Sequence, residues 1–201
     1  IIITGANRGI GLELTRQYLQ ANNTVIATCR NPSSATDLVT LTSNPNLQVV
    51  QLDVTDRQSV DAFCASFKDK VIDVLLNNAG VKGSAQQGLN DMDAESWLAA
   101  FNTNTIAPFM LSSMLLKNLK LADRPRIISV SSYMGSISRP GTGLYAYRSS
   151  EAALNKVMQV MANELLAEGV IACPVHPGWV RTDMGGSDAD LSVEQSVEGL
   201  I

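Results

Sequence analysis

The chain is poor in the residues that most often carry metal or nucleophile chemistry. It holds one histidine, His176, and three cysteines, Cys29, Cys64 and Cys173, among 201 residues. A single histidine excludes a His-rich metal site, so no metal is expected. The cysteines are odd in number and form no C-x-x-C pair. They read as free, mostly buried thiols in a reducing, cytoplasmic setting rather than as a disulfide framework. Cationic residues are in deficit, 15 Lys and Arg against 19 Asp and Glu for a net charge of −4. No basic field therefore argues for nucleic acid or an anionic membrane as partner. No apolar run approaches about 18 residues, so no membrane span is expected. The sequence also lacks an initiating Met, begins inside a strand and stops at Ile201 inside what reads as a new helix. It is expected to be truncated at both ends.

What is present is an alternation of short β-branched runs and amphipathic stretches. Ile1-Ile2-Ile3, Val25–Thr28, Leu47–Leu52, Ile72–Leu76, Arg126–Ser131 and Val170–Val175 read as strands. The run at 72–76 is apolar enough to be covered on both faces. Helices are expected after Gly11, near Ser33, over Arg57–Lys70, over Ala94–Leu121 with a bend at Pro108, and over Tyr145–Ala167. Residues 81–93 read as a loop. Repeated β–α alternation implies an α/β fold: a doubly wound parallel sheet in a Rossmann-type three-layer sandwich, with residues 1–201 as a single dinucleotide-binding domain.

The junction of the first strand and helix carries the most chemistry. Thr4-Gly5-Ala6-Asn7-Arg8-Gly9-Ile10-Gly11 sets a Gly-rich turn between a strand and a helix. Backbone N–H groups and the positive end of the helix dipole there face an anion, and missing Cβ atoms let a pyrophosphate approach. The spacing is G-x-x-x-G-x-G, not the general G-x-G-x-x-G fingerprint.

Ligands of such sheets sit beyond the carboxyl ends of the strands. Cys29-Arg30 follows the second strand, where an NAD-selective site would place an acid on the ribose 2′-hydroxyl. Arg30 and Arg8 suit a 2′-phosphate instead, or are two solvated arginines. Asp53 after the third strand suits an adenine amino group or the capping of a turn. Asn77-Asn78-Ala79-Gly80, Ser131-Ser132, Tyr145 and Tyr147, and Pro177-Gly178 with Thr182 complete the strand-end set. Ser131 and Ser132 lack a fitting His and acid for a hydrolase. His176 reads as a loop residue.

TGANRGIG, NNAG, the Ser-Ser pair, YRSSEAALN and HPGWVRTDM, in this order, resemble the short-chain dehydrogenase/reductase family over essentially the whole chain, and within it the C-factor-like carbonyl reductases. The resemblance implies NADP(H) as cofactor. It implies a cofactor-binding set of Gly5, Asn7, Arg8, Gly9, Ile10, Gly11, Arg30, Asp53, Val54, Asn78, Ala79, Gly80, Tyr147, Pro177, Gly178, Val180 and Thr182. Of these, Gly5, Gly9 and Gly11 fall to the pyrophosphate, Asp53 to adenine, Asn78 and Gly80 to the adenosine ribose region, and Thr182 to the nicotinamide carboxamide. It implies catalytic positions at Asn104, Ser132, Tyr147 and Glu151. It also implies a homodimer or homotetramer through residues 94–121 and 145–167, whose middles carry few charges.

The last catalytic position departs from the family pattern Tyr-x-x-x-Lys, since Glu151 stands four residues after Tyr147. Positions i and i+4 are neighbours on a helix. An ammonium about 5 Å from the phenol would be worth about 3 kcal/mol at an effective dielectric of about 20, about two pKa units. A carboxylate reverses the sign. Tyr147 is then expected to stay neutral, which hits alcohol oxidation hardest and leaves the phenol able to donate a proton to a ketone. A carboxylate can still accept hydrogen bonds from ribose hydroxyls. Lys156 lies on another helix face and is a poor substitute. The expected function is NADP(H)-dependent reduction of a carbonyl by hydride transfer, impaired to some degree by Glu151. A dinucleotide-binding pseudoenzyme serving as sensor or partner subunit, and a non-redox catalyst reusing the pocket, are the alternatives.

Overall fold

Ile2 and Ile3 point to opposite sides of one sheet, and each is fully buried in a different core. That split follows from the two-residue period of a strand and explains why so short a segment must be wholly apolar. A computed structural model describes residues 1–201. Its strands are β1 (Ile2–Ile3), β2 (Val25–Cys29), β3 (Leu47–Gln51), β4 (Val74–Asn77), β5 (Arg126–Val130) and β6 (Ile171–Val175). The helices are α1 (Gly9–Gln20), α2 (Thr36–Val39), α3 (Arg57–Ala65), α4 (Ala94–Phe101), α5 (Ala107–Met114), α6 (Leu116–Leu119), α7 (Tyr145–Leu165) and α8 (Val193–Glu198). All strands pair in parallel in the order β3-β2-β1-β4-β5-β6. The chain reverses its direction of winding between β1 and β4, and helices cover both faces. This is the doubly wound, Rossmann-type arrangement that the alternation predicts.

One core packs Phe63 of α3, Leu111 of α5, Leu154 and Met158 of α7, and Phe67 and Leu115 just after α3 and α5, onto Ile2, Leu75 and Ile127. The other packs Leu12, Leu14, Leu19, Leu38 and Val197 from α1, α2 and α8 onto Ile3, Val74 and Leu76. β4 alternates between the two, so it needs apolar residues at consecutive positions.

Three helices differ from the sequence reading. The segment near Ser33 is a 3₁₀ turn, Pro32–Ser34, followed by the short α2. α3 ends at Ala65, and turn bonds from Ser66 to Lys70 replace its last helical turn. The expected long helix over 94–121 is three helices, and its irregularity precedes Pro108. A π turn spans Asn102–Ile106, with the Ala107 N–H donating to the Asn102 carbonyl. Pro108 has no N–H to return to Asn104 four residues back, so the ladder is already interrupted there and the wider turn is accommodated upstream.

Candidate active site

The carboxyl ends of β1, β2 and β4 open onto a cavity of about 510 Å³ at the point where the strand order reverses. The Gly-rich turn forms its floor. Gly11 must lack a side chain here, because a Cβ would lie 2.4 Å from the Gly5 carbonyl oxygen and 2.5 Å from Asn78 Nδ2. Asn78 Nδ2 donates to the carbonyls of Thr4 (2.9 Å) and Gly5 (3.1 Å), while Thr4 Oγ1 accepts from the backbone N–H groups of Asn78 and Ala79. The Asn78 amide is thus spent on stapling the end of β4 to the turn after β1. No side chain caps the N-terminus of the twelve-residue α1, so its first-turn N–H groups face the cavity uncapped.

Gly5, Asn7, Arg8, Gly9, Ile10, Gly11, Arg30, Asp53, Val54, Asn78, Ala79, Gly80, Tyr147, Glu151, Pro177 and Thr182 all line this one cavity. Gly178 and Val180 do not. Gly178 packs on Leu191, and Val180 is buried and bridges Leu191 beneath the cavity wall. Arg30 makes no ion pair, whereas exposed Arg8 is paired with Asp183 at 2.6 Å across the cavity mouth. Asp53 does cap a turn, its Oδ1 accepting from Thr55 N and Oγ1. Burial pushes its carboxyl up, but the Thr55 bonds and the Arg30 charge outweigh this and hold it below the usual range.

Asn104 and Ser132 lie outside the cavity lining. The π turn directs Asn104 onto the loop after β4, where it accepts from Val81 N (2.9 Å) and donates to Val81 O (2.8 Å) and Ser150 Oγ (3.0 Å). Ser132 Oγ accepts from Met134 N at 3.1 Å, and its side chain stands close enough to Tyr147 to act on the phenol. Ser131, beside it, donates to Asn155 at 2.7 Å. Of the two tyrosines that open α7, Tyr147 lines the cavity, and Tyr145 is exposed and packs against Trp97. His176 accepts the Tyr133 N–H at 3.2 Å and shores up the turn after Ser132.

Burial and the Glu151 charge together push the Tyr147 phenol up to about 12, against a smaller opposing effect of the Ser132 side chain. Glu151 itself is not the simple carboxylate of the sequence reading. It is 5% exposed, and burial pushes it up to about 7 against a smaller opposing influence of the Ser131 side chain and the Ser132 backbone. Lys156 is exposed and donates to Gln159, so no ammonium takes the missing place.

Sequence reasoning overlooked Arg16, Arg181, Asp183 and Met184 in the lining. Asp183 and Met184 follow Thr182 directly and were within reach of the same motif. It also overlooked Gln87, 3% exposed, whose Oε1 accepts the Tyr147 N–H at 3.0 Å.

A family model described as short chain dehydrogenase matches residues 1–191. The chain is 40% identical over 141 residues to C-signal of Myxococcus xanthus, an alignment covering 70% of this chain and 84% of that protein. Among solved structures it resembles an NADPH-bound carbonyl reductase from chicken fatty liver, with a TM-score of 0.91 and 37% identity over 98% of this chain and 87% of that one. It also resembles the carbonyl reductase Sniffer of D. melanogaster, with a TM-score of 0.92 and 34% identity over 98% and 87% of the two chains.

Proposed function

The chain belongs to the short-chain dehydrogenase family, and from that premise we propose that it is an NADP(H)-dependent reductase of a small carbonyl substrate. The observation that carries this reading is the single cavity holding both the uncapped Gly-rich turn and Tyr147. The residues fit a dinucleotide phosphate: the Gly11 approach leaves no room for a side chain, the α1 N–H groups are free, and Arg30 has no protein carboxylate paired with it. Solved relatives described as carbonyl reductases with NADPH or NADP bound support the same cofactor.

When bound, the nicotinamide supplies the hydride. Gly5, Gly9 and Gly11 bring backbone amides to the pyrophosphate, and Arg30 takes the 2′-phosphate through a charge-assisted bond. Asp53 retains an oxygen, Oδ2, for the adenine amino group. Thr182 stands against Gly9, at 3.2 Å from where a Cβ would be, and closes the nicotinamide end. Ser132 orients the carbonyl oxygen beside Tyr147, whose neutral phenol donates the proton. Asn104 holds the loop at Val81, which lines the cavity, and so fixes its wall. The chain is further proposed to assemble as a homodimer or homotetramer through residues 94–121 and 145–167.

The test is steady-state oxidation of NADPH with a panel of ketones and aldehydes, run beside a binding titration. Turnover that Tyr147→Phe abolishes while NADPH affinity persists is the expected result. Binding without turnover across the panel, equal in both proteins, would overturn the reading.

A further inference from the structure

Glu151 lines the cavity from α7 beside Tyr147, and the reaction above does not use it. It is 5% exposed, and its Oε2 is buried without any hydrogen-bond partner. Buried polar atoms nearly always find partners, and an ionised carboxylate with no cation beside it is the most costly exception. A protonated carboxyl removes the charge and makes one oxygen a donor. Glu151 stands one helical turn from Tyr147, and both side chains line the same cavity. Its backbone is fixed: Gly135 packs so closely that a Cβ there would lie 2.7 Å from the Glu151 carbonyl carbon.

Resting on the reductase reading, we propose that Glu151 in its acid form holds the proton that restores Tyr147 after each carbonyl reduction. The carbonyl carbon accepts the hydride with its electron pair. The Tyr147 O–H bond breaks, and its proton forms the O–H bond of the product alcohol. The phenolate left behind takes the carboxyl proton of Glu151, directly or across one water. The carboxylate is then recharged by a proton from solvent entering the cavity. No electrons move beyond the hydride pair, and each proton leaving the site is replaced.

The direction of transfer follows from the environments of the two groups. Burial holds the carboxyl near 7 and the phenol near 12, so a proton passes downhill from Glu151 to a tyrosinate. Alcohol oxidation must instead strip the phenol beside a carboxylate, so the site favours reduction. The influences on Glu151 besides burial are the neighbouring Ser131 side chain and Ser132 backbone, which oppose it weakly. The other titratable groups on elements packed against α7 are Glu95 on α4, Tyr133 in the turn after Ser132, Glu168 in the turn after α7, and Cys173 and His176 on β6 and its end. None of these is among the groups acting on Glu151. Arg148 and Lys156 share α7, and Lys156 is exposed on Gln159.

The experiment compares wild type with Glu151→Gln, which keeps the shape and cannot ionise, between about pH 5 and pH 9. In wild type, kcat for NADPH-dependent reduction is expected to be level below about pH 7 and to fall above it. Glu151→Gln is expected to be level throughout and about tenfold slower at about pH 6, with NADPH affinity and KM changed less than about threefold. Carbon-13 NMR of carboxyl-labelled glutamate reads the same group without turnover, as one resonance titrating near neutrality that Glu151→Gln removes. A resonance titrating in the usual carboxylate range overturns the proposal even if the variant does not fold. Equal rates and equal pH profiles in the two proteins overturn the relay while leaving the reductase reading intact. Binding of NADPH with no reduction in wild type, with the carboxyl titrating near neutrality, overturns the reductase reading and the relay with it.

Discussion

Single side chains decide cofactor choice and direction at this site. Arg30 lines the cavity with no ion pair, so Arg30→Ala removes one charge-assisted bond to a 2′-phosphate and nothing that NADH offers. Such a bond is worth about 1.5–3 kcal/mol, and the expected outcome in a titration is NADPH bound at least about tenfold more weakly with NADH unchanged. Equal weakening of both nucleotides would take Arg30 off the 2′-phosphate. Glu151→Lys restores an ammonium beside the phenol. Alcohol oxidation, which needs a tyrosinate, is expected to rise at least about tenfold, and reduction by less. Rates in both directions with the same substrate pair check this. Glu151 also links stability to pH. Its folded pKa is raised from 4.5 to about 7, so the native state holds this proton more tightly than the unfolded chain. The stabilisation is complete below the unfolded value and is lost as pH rises through this window, a total of about 3 kcal/mol. Glu151→Gln does not titrate, so its melting temperature is expected to gain on wild type as pH rises from about 5 to about 8. A constant difference would mean the carboxyl is ionised throughout.

Elements whose signals are local are the legible ones. β4 shows itself by an apolar run that both cores require, and α7 by apolar spacing from Ala146 through Leu154, Met158 and Leu165. The turn after β1 shows itself by glycines between a strand and a helix. What stays hidden in the sequence depends on partners distant along the chain. The π turn at Asn102–Ile106 exists together with the Asn104 bonds to Val81 and Ser150, 23 and 46 residues away. The start of α7 is another case. Leu144 precedes it in the left-handed region at φ 52° and offers no side-chain cap. Gln87 supplies the cap from the loop at 81–93. Its Oε1 accepts from Tyr147 N, its carbonyl accepts from Tyr145 N, and its Nε2 donates to the carbonyls of Lys82 (2.7 Å) and Ser84 (2.6 Å). A glutamine sixty residues upstream matches no capping pattern. Gln87→Ala leaves these groups unpaired in a buried place, a loss of about 1–3 kcal/mol. The melting temperature is expected to fall, and reductase kcat with it, because the released amide belongs to Tyr147. A lower melting temperature with kcat unchanged would show that the cap holds the helix without placing the phenol.

At the scale of the whole molecule, the strand alternation leads to a parallel sheet, and right-handed crossovers lead to helices on both faces. The cavity follows from that topology, because the carboxyl ends of β1, β2 and β4 meet where the winding reverses. The closing of its mouth does not follow, since Arg8 reaches Asp183 over a separation of 175 residues. Assembly of copies lies at the same scale. α5 carries no charged residue, yet Phe109 is 45% exposed, and Ile106 just before it is 48% exposed. Leu98 on α4, Val160 on α7 and Leu166 just after α7 are exposed as well. Exposed apolar side chains on α4, α5 and α7 have the composition of an interface core, and a stable interface takes about 800 Å² from each partner. We therefore expect light scattering to give twice or four times the chain mass for wild type. Phe109→Glu places a charge at the centre of the uncharged stretch and is expected to shift the mass to that of one chain. NADPH affinity should persist, because Phe109 lines no part of the cavity. A wild-type protein that elutes and scatters as one chain at high concentration would overturn the assembly, and its exposed apolar helices would then face solvent unpartnered.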